Sequence, residues 1–140
     1  YMSIAKDIER VGDLAKDMWD LAYAGADMSR GELKEIADGV GEKVLRLIDD
    51  TARVFGERDA EAAIDILNAS DMDVDYYEAQ MLAQMKADNA ADAVALALFY
   101  RYATRITAHL MNVLTAVVMP FERLDYWDED KVDRDAAPQE

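Results

Sequence analysis

The side chains able to do chemistry are few in kind. The chain has one histidine, His109, and no cysteine. It therefore offers no thiolate metal site, iron–sulfur ligand set or cysteine nucleophile. A Ser-His-Asp arrangement would need His109 beside Ser3, Ser29 or Ser70, and no local motif supports one. No glycine-rich phosphate loop is present. A di-iron carboxylate bundle requires Glu-x-x-His on two helices, whereas Ile106 stands three residues before the lone histidine. What remains is carboxylate, with 30 acidic side chains against 15 basic ones.

Two groups of carboxylates have helical spacing. Glu9, Asp13, Asp17 and Asp20 share a sector of about 80°, and Glu9, Asp13 and Asp20 alone fit within about 40°. Like charges four residues apart repel by a few tenths of a kcal/mol. Their repetition marks either a site for a hard divalent ion or iron, or simply the solvated face of an acidic chain. The second group is Asp71 and Asp75. Asp71 falls about 40° from Leu67 and about 60° from Val74, inside the apolar stripe of its helix. A carboxylate buried there needs a partner: a cation shared with Asp75, a helix terminus, or Arg101 or Arg105 across the bundle. Arg101, Arg105, His109 and Asn112 form one polar strip, in which His109 reads as a satisfied, partly buried histidine. The eight methionines read as core filler.

Four long helices must position these groups. Ile4, Ile8, Val11, Ala15, Met18 and Ala22 give the first an apolar stripe. Gly25 and the segment 27–31 end it, and Ser29 with Glu32 matches a capping box for the second helix. That helix carries Leu33, Ile36, Val40, Val44, Leu47, Ile48, Thr51, Val54 and Phe55, and closes at Gly56. The third runs from about Asp59 to Met85, with Ala60, Ala63, Ile64, Leu67, Val74, Met81, Leu82 and Met85 apolar. After a turn over 86–89, the fourth runs from about Ala90 to Met119 and stops at Pro120. It is apolar around much of its circumference and should be central. The expected fold is all-α, an antiparallel up-and-down bundle of four long helices with short connections. The bundle occupies 1–121. Residues 122–140 read as an acidic tail, with eight acidic and three basic side chains. Phe121, Leu124, Tyr126 and Trp127 are expected to fold back, and disorder is expected from about Lys131. The helical pattern is already running at Tyr1 without a cap, so the chain is expected to begin inside a helix of a larger protein.

Composition narrows the partners. A net charge of -15 argues against nucleic acid and bare anionic lipid. The most apolar stretch, about 90–119, is interrupted by Arg101, Arg105 and His109, which argues against a membrane span.

The segment Ile4-Ala5-Lys6-Asp7-Ile8-Glu9-Arg10-Val11-Gly12-Asp13-Leu14-Ala15 resembles the signature of the PhoU family of phosphate-uptake regulators, centred on Glu-Arg-(Ile/Val)-Gly-Asp. A further acid follows seven residues on, here Asp20. Asp71-Met72-Asp73-Val74-Asp75 resembles the acidic pair of the family's second repeat, and 101–113 resembles its last helix. The acids of that last helix stand as Thr104, Ala108 and Thr115 here. The resemblance implies two three-helix repeats, of which this chain would hold the end of the first and all of the second. It implies a non-enzymatic, cytoplasmic regulator, peripheral to the inner membrane through a transporter. Its implied partners are the ATPase subunit of a phosphate ABC transporter or a sensor histidine kinase, and a homodimer is allowed. It also implies a divalent metal or iron on Glu9, Asp13, Asp20, Asp71 and Asp75. The alternative is a metal-free helical interaction module or a regulatory domain of a membrane transporter.

Overall fold

The computed structural model describes residues 2–119. It contains α1 (Met2–Tyr23), α2 (Gly31–Glu57), α3 (Ala60–Ala83) and α4 (Ala90–Val118), with a 3-10 turn at Gln84–Lys86. No strand occurs among the described residues, so the fold is an all-α bundle. The tail expected over 122–140, and the fold-back of Phe121, Leu124, Tyr126 and Trp127, lie outside the described residues.

Local chemistry sets the helix ends. Asp59 caps α3 by accepting from the Ala62 amide, and Asn89 caps α4 by accepting from the amides of Ala91 and Asp92. Each satisfies first-turn donors that the helix cannot. The start of α2 differs from the expected capping box. Its N-cap is Arg30, with no side-chain cap bond. Ser29 instead gives its amide (3.1 Å) and hydroxyl (2.5 Å) to Asp27, and the Arg30 Nε donates to the same carboxylate at 2.9 Å. An Asx turn has captured the serine, so Glu32 has no hydroxyl to answer. The end of α2 also differs: Gly56 stays helical, and Arg58 adopts the left-handed turn at φ 56°, its amide bonding to Val54 O.

The fourth helix is central, packing against all three others. Its buried residues include Leu96, Phe99, Tyr100, Ala103, Ile106, Leu110, Val113 and Leu114, which cover more than one face. Leu14 and Leu21 of α1, Val40 and Val44 of α2, and Tyr77 of α3 join this core. Near the other end of α4, Ile4 packs with Val113 and Ala116, and Phe55 lies against them. Val54, Ala63 and Leu114 form a third buried group. Met119, just before Pro120, is extended (φ -100°, ψ 135°), the backbone that a following proline favours.

Two stripes are rotated from the sequence expectation. On α1 the buried residues are Ile4, Leu14 and Leu21, with Asp7, Val11 and Met18 half-buried beside them. Ile8, Ala15 and Ala22 are exposed. On α3 the buried line is Ala63, Ser70 and Tyr77, one every seven residues. Asp71, one residue past that line, is exposed rather than inside the stripe. No helix among the described residues is long and apolar enough to cross a membrane.

Candidate functional site

The first helix has three sectors. Ile4, Asp7, Val11, Leu14, Met18 and Leu21 face the bundle. Beside them, over about 80° of circumference, lie Ala22, Ala15, Ile8, Trp19 and Gly12. All five are exposed, Ile8 to 57% and Trp19 to 68%. The third sector holds Glu9, Asp13 and Asp20, also exposed. The apolar residues of α1 thus span about twice the arc that α4 covers. Glycine costs a helix interior roughly 1 kcal/mol relative to alanine, and a Cβ built on Gly12 would meet nothing within 4 Å. Nothing inside this fold requires a glycine there.

Of the carboxylates singled out by spacing, Glu9, Asp13, Asp20, Asp71 and Asp75 are exposed and Asp17 is half-buried. Asp13 pairs with Arg10 at 3.4 Å and Asp20 with Lys16 at 2.9 Å, both within α1 and open to water. Such pairs contribute little stability. Asp20 holds the Lys16 ammonium above its ordinary pKa, chiefly through the hydrogen bond between them. Glu9, Asp17, Asp71 and Asp75 have no ion-pair partner among the described residues. Arg101 and Arg105 point to solvent and do not meet Asp71, whose exposure removes the need for a partner. Among the described residues, no three His, Asp or Glu side chains converge on a point that could hold an ion.

A polar contact that spacing did not reveal links α1 to α4. His109 Nδ1 lies 2.8 Å from Asp7 Oδ1, and Asn112 Nδ2 donates to the same oxygen at 3.0 Å. A carboxylate only accepts, so the His109 proton sits on Nδ1. The side chains of Asp7 and His109 are 13% and 21% exposed. His109 is thus satisfied and half-buried, as expected. Asp7 was missed because the apolar stripe as drawn through Ile8 and Ala15 turned it outward. A frame drawn through Leu14 and Leu21 would have brought it inside.

Two of the grooves beside the core are lined in part by aromatic side chains. One, of about 510 Å³, is lined by Met18, Trp19, Ala22, Met28, Ala37 and Phe99 among others. The larger, of about 610 Å³, runs between α2 and α3. Tyr76, Tyr77 and Tyr100 form its aromatic wall, with ring centroids 6.0, 6.4 and 6.2 Å apart in the three pairs. Glu32, Glu35 and Asp73 line it as well, with Lys43, which is ion-paired to Asp73. Burial pushes the phenols of Tyr77 and Tyr100 up to about 12. Both rings are 1% exposed. Sequence reasoning passed over these tyrosines. The signal was Tyr77, which stands on the seven-residue line that begins at Ala63, with Tyr76 next to it.

No family model, no curated protein and no solved structure matches this chain.

Proposed function

We propose that this chain is a non-enzymatic helical regulator of the PhoU type, working through protein–protein contact. The observation that carries the reading is the exposed apolar sector of α1, running from Ile8 through Gly12 and Ala15 to Trp19. It lies beside Glu9 and Asp13, within the stretch that resembles the PhoU signature. Exposed contiguous apolar surface edged by charge is what a docking face requires. A glycine with no role inside its own helix suits close approach by a partner backbone. The contact register supports the up-and-down antiparallel course of such a bundle: Ile4 meets Val113, Val40 shares a core with Tyr77, and Ala63 meets Leu114.

The partners we propose are the ATPase subunit of a phosphate ABC transporter or a phosphate-sensing histidine kinase, with the chain cytoplasmic and held near the inner membrane by the transporter. These rest on the resemblance. A metal ion belongs to the same proposal, on the acid row of Glu9, Asp13 and Asp20 or on Asp71 and Asp75. Either set needs further ligands, which another subunit would supply, since neither converges on one point with a third acid among the described residues. Pull-down with the full chain from phosphate-replete cells tests the partner assignment. Recovery of the ATPase or the kinase is expected, and recovery of neither would overturn it. Metal analysis tests the second part: an ion retained through purification and lost on Glu9→Ala or Asp71→Ala is expected, and metal-free protein with unchanged melting would reject it.

A further inference from the structure

The exposed sector of α1 has a regularity of its own. Ala5, Ile8, Gly12, Ala15, Trp19 and Ala22 follow one another at alternating steps of three and four residues, and all six are exposed. That alternation is the seam of a coiled coil, the spacing that keeps one side of a helix against a second helix. The seam runs for about 26 Å along α1. The residues that α1 gives to the core, Leu14 and Leu21, lie about 140° round the helix from its centre.

The side chains say which helix fits. In an antiparallel pair, facing residues have numbers of constant sum. With that sum at 27, α1 complements itself. Ile8 faces Trp19 of the second copy, Gly12 faces its Ala15, and Ala5 faces its Ala22. Bulk meets bulk, and small residues meet at the centre, where the backbones come closest. Gly12 has no use within its own fold, and here the close approach gives it one. Along the flank of the seam stand Met2, Glu9, Lys16 and Tyr23, one every seven residues and all exposed. In the same register Glu9 meets Lys16 of the second copy and Met2 meets its Tyr23, each twice by symmetry. Glu9 has no ion-pair partner among the described residues. Met2, Ile8, Trp19 and Tyr23 are the exposed large hydrophobics of α1, so one register covers them all. Sliding by seven residues either way sets Glu9 against Glu9 or Lys16 against Lys16. A parallel pair sets Trp19 on Trp19 and separates Glu9 from Lys16.

We propose that α1 pairs antiparallel with α1 of a second copy of this chain, along the seam from Ala5 to Ala22, in a two-fold dimer. Leu14 and Leu21 stay in the core, so each bundle remains closed. One helix pair of this length is a small interface, so the dimer forms reversibly and separates on dilution. The pairing itself goes beyond the docking reading and rests on it only for a consequence. It covers the face assigned there to the transporter ATPase or the kinase, so self-association and docking exclude one another.

Sedimentation equilibrium of the full chain tests the pairing, with a monomer–dimer equilibrium expected. Trp19→Glu should abolish the dimer. Glu9→Lys and Lys16→Glu should each weaken it about tenfold, and the two together should restore it. Gly12→Leu should weaken it without lowering the Tm of the dilute chain, because a Cβ there meets nothing within 4 Å in the single copy. The chain has no cysteine, so orientation can be read by oxidation. A mixture of Ala5→Cys and Ala22→Cys chains should cross-link to each other, and neither variant to itself. Self-linking of Ala5→Cys would overturn the antiparallel register. A dimer indifferent to Trp19→Glu and Gly12→Leu would place the contact elsewhere and overturn the seam. A chain that stays monomeric at every concentration would overturn the pairing while leaving the docking face to stand or fall on ATPase or kinase affinity. A dimer that binds neither protein would support the pairing and reject the docking reading.

Discussion

Replacing Asp7 tests how α1 is held to the bundle. Its Oδ1 is 2.8 Å from His109 Nδ1 and 3.0 Å from Asn112 Nδ2. Hydrogen bonds to a charged group contribute about 1.5–3 kcal/mol each when enclosed. Here Asp7 and His109 keep 13% and 21% of their surface, and Asn112 is exposed. Both former partners can turn to water once the carboxylate is gone, so about 1 kcal/mol per bond is appropriate. Removing the carboxylate also relieves its partial desolvation, which makes about 2 kcal/mol an upper figure for Asp7→Ala. Asp7→Asn keeps one acceptor and should lose about 1 kcal/mol. For a domain of this size, 2 kcal/mol lowers Tm by about 6 °C. Urea denaturation of Asp7→Ala, His109→Ala and the double variant gives the coupling directly, expected at about 1 kcal/mol. Amide exchange in α1 should quicken in Asp7→Ala more than in α2 or α3. A stable Asp7→Ala variant with no coupling to His109 would refute the reasoning and leave apolar contacts alone to hold the helix.

Other outcomes follow from burial and titration. Leu114→Ala empties a fully buried position between α2, α3 and α4 and should destabilise by about 2–5 kcal/mol in urea denaturation. Asp27 has its carboxyl pulled down to about 2 by the Ser29 hydroxyl and then by Arg30. Its contribution is therefore present above the ordinary value of 3.8 and is lost as pH falls towards 2. Asp27→Asn should flatten the acid limb of the stability curve in that window. Tyr77 and Tyr100, pushed up to about 12 by burial, hold their protons in the fold at pH values where the unfolded chain releases them. Stability should fall as pH rises from 10 towards 12, and ultraviolet titration should show two phenols whose ionisation is delayed towards 12. Gly12→Ala should raise stability by up to about 1 kcal/mol, since the new methyl meets nothing.

How much of this was legible depends on the helix. The stripe of α2 could be read directly, and Val40, Val44, Thr51 and Val54 are its buried residues. The breadth of apolar surface on α4 likewise identified the central helix. The first helix misled because it is apolar over two adjoining sectors, and periodicity alone cannot say which one the neighbour covers. Choosing the sector with Ile8 and Ala15 hid Asp7 and its bond to His109. The third helix misled for the opposite reason. Its buried line consists of an alanine, a serine and a tyrosine, so the stronger hydrophobes Leu67 and Val74, at its flanks, pulled the apparent centre toward Asp71. At the start of α2 two signals competed for Ser29, and the nearby carboxylate of Asp27 won over the capping box. The groove between α2 and α3 depends on how two helices splay, which no spacing within one helix encodes.

The exposed apolar sector of α1 as a docking face is the central claim. Its most direct test is the affinity of the purified transporter ATPase subunit or sensor kinase for the full chain and for Trp19→Glu. Trp19 is exposed, so its replacement should leave Tm unchanged, while loss of a central aromatic contact should weaken binding by more than about tenfold. Equal affinity for the two proteins would contradict the claim.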